Sequence, residues 1–176
     1  MRKNAHGFTI VELLLVIVVI GILASVVIVA YNGAQTRAQN ASRLAELKAW
    51  QKSFAQYKAA NGGNLPVQAV GGYCLGTNFP TQKCRDWQNT VPDGPMYTEA
   101  SSVNLMNTLK EYDPPKVTTH VPVTITIGPY VKYEGTFVRM FAVFKGGPSD
   151  CPAGTIYDWD HPDGRLLCYV RLDNVN

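Results

Sequence analysis

One acidic residue, Glu12, lies at the head of a long apolar stretch near the N-terminus. No charged residue follows it between Leu13 and Thr36. A carboxylate in such surroundings costs free energy unless a hydrogen-bond donor or a cation satisfies it. Glu12 is therefore the residue whose position most needs a chemical reason.

A second group of acids lies near the C-terminus, where Asp158, Asp160 and Asp163 surround a predicted turn. Three carboxylates would suit calcium, but their spacing does not match an EF-hand loop, and Pro162 stands where the third ligand should be. We favour a solvated acidic hairpin and assign no metal.

No group of residues has the spacing of a catalytic site. His6, His120 and His161 are far apart, and Ser149, Asp150 and Cys151 form no nucleophile motif. No glycine-rich loop between a strand and a helix suggests phosphate binding. We therefore expect neither an enzyme nor a bound cofactor.

The charge balance also argues against nucleic acid as the main partner. Beyond Tyr31 there are 14 Lys/Arg and 12 Asp/Glu, which leaves no strong nucleic-acid signal.

The elements that position Glu12 begin with a short basic leader, residues 1–7, which includes Arg2 and Lys3. The 19-residue apolar run from Leu13 to Tyr31 would be about 28 Å long as a helix, enough to span a hydrocarbon core of roughly 30 Å. The preceding cations predict a cytoplasmic N-terminus and an exported C-terminal part.

An ordinary secretory signal or a plain single-pass anchor could also contain an apolar segment of this kind. The run is longer than the apolar region of a secretory signal, and the bulky Ile28 makes residues 28–30 a poor cleavage site. Neither a secretory signal nor a plain anchor gives Glu12 a role.

The residues Gly7-Phe8-Thr9-Ile10-Val11-Glu12-Leu13, with their basic leader and apolar continuation, resemble the class III signal of type IV prepilins and type II secretion pseudopilins. The resemblance covers about residues 1–60. It implies that prepilin peptidase cuts between Gly7 and Phe8, and that the new amine of Phe8 is N-methylated. It further implies that Glu12, the fifth residue of the mature chain, pairs with the Phe8 amine of a neighbouring subunit in a helical filament.

The other partners implied by the resemblance are an assembly platform in the inner membrane and, indirectly, its cytoplasmic ATPase. The precursor would be a single-pass protein of the inner membrane, and the filament would lie on the cell surface. Many family members have a proline near the end of the apolar run, where this chain has Val29-Ala30-Tyr31, so Gly21 and Gly33 are the remaining weak points of the helix. The alternatives are a pseudopilin of a secretion or competence system, or a signal-anchored extracellular binding module or enzyme.

Four cysteines, none in a C-x-x-C pair, suggest two disulfides in an exported chain, with three possible connectivities. We favour Cys74–Cys84 and Cys151–Cys168, because each closes a short loop and would stabilise the fold by roughly 2–4 kcal/mol. The other interpretation is four buried free thiols. In the resemblance, a cysteine pair near the C-terminus closes the last strands of the pilin head.

Residues 8–31 are thus the predicted transmembrane or filament-core helix, and residues 32–61 its amphipathic continuation. An apolar stripe at helical spacing should lie on a sheet, whereas Arg43, Lys48, Lys52 and Lys58 belong largely to other faces. The stripe comprises Leu44, Leu47, Trp50, Phe54 and Tyr57. The sequence from Asn61 to Asn64 should end the helix.

Residues 62–176 are predicted to form the head. We expect a long loop over 62–98, a short helix over 101–112 with Leu105, Met106 and Leu109 inward, and about four antiparallel strands. The strand candidates are 121–127, 130–133, 137–145, 155–159 and 165–172, with a hairpin turn at 161–164. Trp87, Trp159, Tyr73 and Tyr97 would form an adhesive face only if exposed. The predicted fold is α+β and pilin-like, a long N-terminal helix packed on a small antiparallel sheet.

Overall fold

A computed structural model of the chain describes residues 9–85, 97–116, 127–135, 137–161 and 163–172. Two compact units are present, Met1–Ala38 and Gln39–Asn176. The described part of the first unit is helical from Ile10 onwards, whereas the second contains the end of the same helix, a shorter helix and the strands.

Helix α1 runs from Ile10 to Ala60 and continues through Gly21 and Gly33. It ends where the predicted stop lies. Gly62 and Gly63 have φ angles of 65° and 85°, and the Gly63 N–H donates to the Lys58 carbonyl at 2.8 Å. This is a Schellman-type end, in which glycine takes the left-handed conformation at low steric cost.

Five antiparallel strands form the main sheet. In their spatial order they are β1 (Gly71–Cys74), β4 (Tyr130–Tyr133), β5 (Val138–Lys145), β7 (Arg165–Arg171) and β6 (Ile156–His161). A separate pair joins β2 (Lys83–Arg85) to β3 (Tyr97–Thr98), and 3-10 turns cover Pro80–Gln82 and Pro148–Asp150. The α+β prediction is confirmed, with a long N-terminal helix and a small antiparallel sheet.

The prediction of a continuous loop over 62–98 was wrong, because β1 lies within it and pairs with β4. Three of the four residues of β1 are Gly71, Gly72 and Tyr73, so the strand has no apolar alternation to reveal it. A Cβ on Gly72 would lie 2.0 Å from the Tyr97 ring, so this close approach requires glycine. Tertiary contacts, which no local pattern records, define this strand.

The second helix, α2, spans Glu99–Leu109, slightly before the predicted range. Thr98 caps it by accepting a hydrogen bond from the Ser101 N–H at 3.2 Å. Leu105 and Leu109 are buried, as predicted, while Met106 is half-buried. The predicted strand 121–127 lies outside the described residues except for Ile127, which forms an isolated bridge with Arg85.

Each face of the main sheet has its own core. On one face, Leu47, Trp50 and Phe54 of α1 pack with the strands, which confirms the predicted stripe. Arg43, however, is 8% exposed and therefore lies on the buried side of α1, whereas Lys48 and Lys52 are exposed. The opposite face carries a second cluster, which includes Phe79, Tyr97, Tyr130, Phe141 and Leu167.

Candidate functional site

Thr9 and Glu12 form a reciprocal set of hydrogen bonds at the start of α1. The Thr9 backbone N–H and hydroxyl both donate to Glu12 Oε2, each at 2.8 Å. The Glu12 backbone N–H in turn donates to Thr9 Oγ1 at 3.2 Å. This is a capping box, in which an N-terminal threonine and a glutamate three residues later satisfy each other's backbone donors.

The capping box gives Glu12 a partner within its own chain. The sequence reasoning missed it, although Thr9-Ile10-Val11-Glu12 has the T-x-x-E signature of such a cap. Both donors converge on Oε2, and no described residue donates to Oε1. The Glu12 carboxylate therefore caps the start of α1 through Oε2, and its Oε1 atom can still accept a hydrogen bond.

The apolar segment that follows Glu12 is exposed along its described length, with Ile17 at 53% and Leu23 at 60% exposure. Among the described helices, α1 is long and apolar enough, by length and composition, to cross a membrane. So many exposed aliphatic side chains need an apolar environment outside the subunit. The segment fits membrane anchoring.

The other residues of the predicted processing and assembly sites, Gly7 and Phe8, lie outside the described residues. Cleavage after Gly7 and pairing of the Phe8 amine with Glu12 therefore stay predictions.

The three candidate calcium ligands have separate partners. Asp158 accepts a hydrogen bond from Arg139 Nη1 at 3.1 Å, and Asp160 accepts one from the Tyr157 hydroxyl. Asp163 pairs with the Arg165 guanidinium at 2.6 Å. In the part of the chain that the structure describes, no three His, Cys, Asp or Glu side chains are grouped so as to hold a metal ion.

The cysteines join in the two short loops, Cys74 with Cys84 and Cys151 with Cys168. The first disulfide ties β1 to β2, and the second ties β7 to the segment after β5. Of the aromatic residues considered as an adhesive face, Tyr97 is buried, Tyr73 and Trp159 are half-buried, and Trp87 lies outside the described residues. The described part of this set therefore forms no exposed aromatic face.

In a comparison with protein families, residues 2–28 match a model described as the prokaryotic N-terminal methylation motif. No curated protein and no solved structure matches the chain. The matched residues include all of the leader except Met1, the Thr9–Glu12 capping box and most of the apolar segment. The chain therefore carries the N-terminal signal of type IV pilins and pseudopilins, followed by an α+β fold that is consistent with a pilin-like one.

Proposed function

We propose that this chain is the precursor of a structural subunit of a type IV pilus or a related filament. The observation that carries the proposal is Glu12 at the head of an exposed apolar helix, within a matched methylation motif. The subunit is stored in the inner membrane, cut after Gly7 by prepilin peptidase and methylated on Phe8. An assembly platform, driven by its cytoplasmic ATPase, then moves it into a filament on the cell surface.

The physical basis of assembly is a charge pair that exists only after processing. Cleavage creates an ammonium at Phe8, and the Oε1 atom of Glu12 on a neighbouring subunit accepts from it. Among packed apolar helices with little water, such a pair attracts more strongly than at a wet surface. An unpaired charge there is correspondingly costly. The pair therefore makes assembly depend on cleavage and favours one stagger between subunits.

In this account the second unit is the head, which contacts the surroundings in adhesion, motility or DNA uptake. Its compact double core and two disulfides suit an exported domain. The head does not bind the motor's ATP, and its role in the filament is structural.

The capping box supplies a competing role for Glu12 and also the way to test it. Gln accepts hydrogen bonds from Thr9 as Glu does, so Glu12→Gln keeps the cap but removes the negative charge. We expect this variant to be cleaved and methylated normally, yet to be reduced at least about tenfold in filaments sheared from cells, since a buried charge pair is lost.

Ser25→Ala is the matched control, because it removes a polar group from the same helix without touching the cap. It should assemble like the wild type. Wild-type assembly of Glu12→Gln would mean that Glu12 acts only as a helix cap, and the proposed charge pair would be abandoned.

A further inference from the structure

The buried face of α1 contains two side chains of opposite charge, one turn apart. Arg43 and Glu46 are each 8% exposed and lie beside the apolar stripe formed by Leu47, Trp50 and Phe54. Charged side chains are almost never buried to this extent without compensation. Burial of the Arg43 guanidinium therefore calls for a polar partner that the apolar stripe does not supply.

The need for a polar partner is clearest for Arg43. Its Nη1 atom is fully buried and has no hydrogen-bond partner among the described residues. Burial lowers the pKa of Arg43, while the nearby Glu46 carboxylate acts in the opposite direction. A buried donor without an acceptor is costly, so proteins usually satisfy such groups with ordered water where there is room.

There is space for a water molecule beside Arg43 and Glu46. A cavity of about 10 Å³ is lined by both charged side chains and by residues of the sheet and of the segment before β4. The other lining residues are Ile127, Gly128, Pro129, Ala142 and Val143. This volume is about the least that can hold one water molecule, and it is too small for a larger ligand.

The charges of Arg43 and Glu46, which line the cavity, determine which ligand it can hold. A halide would accept from Arg43 but would be repelled by Glu46, and a metal cation would be repelled by Arg43. Water both accepts and donates. We propose that this cavity is a binding site for a single ordered water molecule, which accepts a hydrogen bond from Arg43 Nη1 and donates one to the Glu46 carboxylate.

This water site would connect α1 to residues 127–129, which contact the loop closed by the Cys74–Cys84 disulfide. Gly128 N–H donates to the Cys84 carbonyl at 2.8 Å, and the Pro129 carbonyl accepts from Leu75 N–H at 3.0 Å. Both Gly128 and Pro129 line the cavity. The inference concerns the head alone and does not depend on filament assembly.

Magnetic relaxation dispersion of water nuclei, applied to the full chain in detergent micelles, counts water molecules with long residence times. We expect the variant Arg43→Met/Glu46→Met to hold one long-lived water fewer than the wild type. Removing both charges together leaves neither one buried alone, and such replacements are often tolerated. Lys48→Met, an exposed change on the same helix, should leave the count unchanged.

An unchanged count in a folded double variant would overturn the proposal. If the double variant fails to fold, cross-relaxation measured on the wild-type chain tests the proposal instead. Cross-relaxation between a bound water and the Arg43 guanidinium or Gly128 amide protons would support the site. Its absence, or a bromide ion in this cavity in crystals grown with bromide, would contradict it.

Discussion

Helix α1 carries similar apolar side chains in both units, but their surroundings differ. Leu23 in the first unit is 60% exposed, whereas Leu47 in the second is 1% exposed. The head therefore holds its stabilising contacts within itself. The exposed apolar segment fits membrane anchoring, and in the proposed filament it would contact neighbouring copies instead. A substitution should thus act on folding in one region and on membrane or filament contacts in the other.

The largest contrast should come from the same substitution in each region. Leu47→Ala removes a fully buried side chain and should lower the free energy of unfolding of the head by about 2–5 kcal/mol. Leu23→Ala should leave it unchanged, because Leu23 has no packed core around it. Thermal and denaturant unfolding measure both. Equal effects of the two changes on the free energy of unfolding would show that the two regions do not differ in this way.

The disulfides should stabilise the head alone. Replacing both Cys151 and Cys168 by Ala opens a loop with a sequence separation of 17. The expected loss is about 3 kcal/mol, and slightly less for Cys74 and Cys84, whose separation is 10. Melting with and without reductant measures these losses. The apolar segment serves as the internal control, because its amide exchange should not respond to reductant.

Acid should also weaken the head through Glu134. Two hydrogen bonds from Arg139, each at 2.6 Å, with a smaller contribution from Lys132, lower the Glu134 pKa from 4.5 to about 2. Because the folded pKa is depressed, this stabilisation is complete above about pH 4.5 and is lost as the pH falls towards about 2. The loss should be roughly 1–3 kcal/mol.

Unfolding measured across this pH range tests the assignment. Glu134→Gln should be less stable at neutral pH and should lose less on acidification. Glu111→Gln, at an exposed position, should follow the wild-type curve. A Glu134→Gln curve parallel to that of the wild type would rule out Glu134 as the source.

The smallest effect should come from the cap of the first segment. Thr9→Val removes the hydroxyl and should cost about 1 kcal/mol at the helix start, which corresponds to roughly fivefold faster amide exchange in the first turn. Thr9→Ser keeps the hydroxyl and should behave like the wild type. Exchange measured in micelles distinguishes the two, and equal protection in both variants would show that the hydroxyl does not cap the helix.

Local sequence patterns predicted the helices and strands that depend mainly on residues close to one another in the chain. The stripe Leu47-Trp50-Phe54 gave the buried face of α1, and the residues after Ala60 gave its end. Strands β4 to β7 have the apolar pattern and turn residues expected of them. The short spacings favoured the two disulfides that the structure contains.

The features that were missed depend on distant contacts or on a competing role. Strand β1 depends on β4, more than fifty residues later, and on the ring of Tyr97 against Gly72. Burial of Arg43 does follow from helical spacing, since it lies four residues before Leu47 and seven before Trp50. It was missed because its charge alone was used to place it on another face. Thr9 was taken only as part of the processing motif, although its spacing from Glu12 also predicts a cap.

The N-terminal residue of the mature protein, determined by mass spectrometry on material sheared from the cell surface, tests the central claim most directly. We predict a chain that begins at N-methylated Phe8. A chain that begins at Met1, or one cut after Ala30, would contradict it and would return the protein to the class of ordinary anchored or secreted domains.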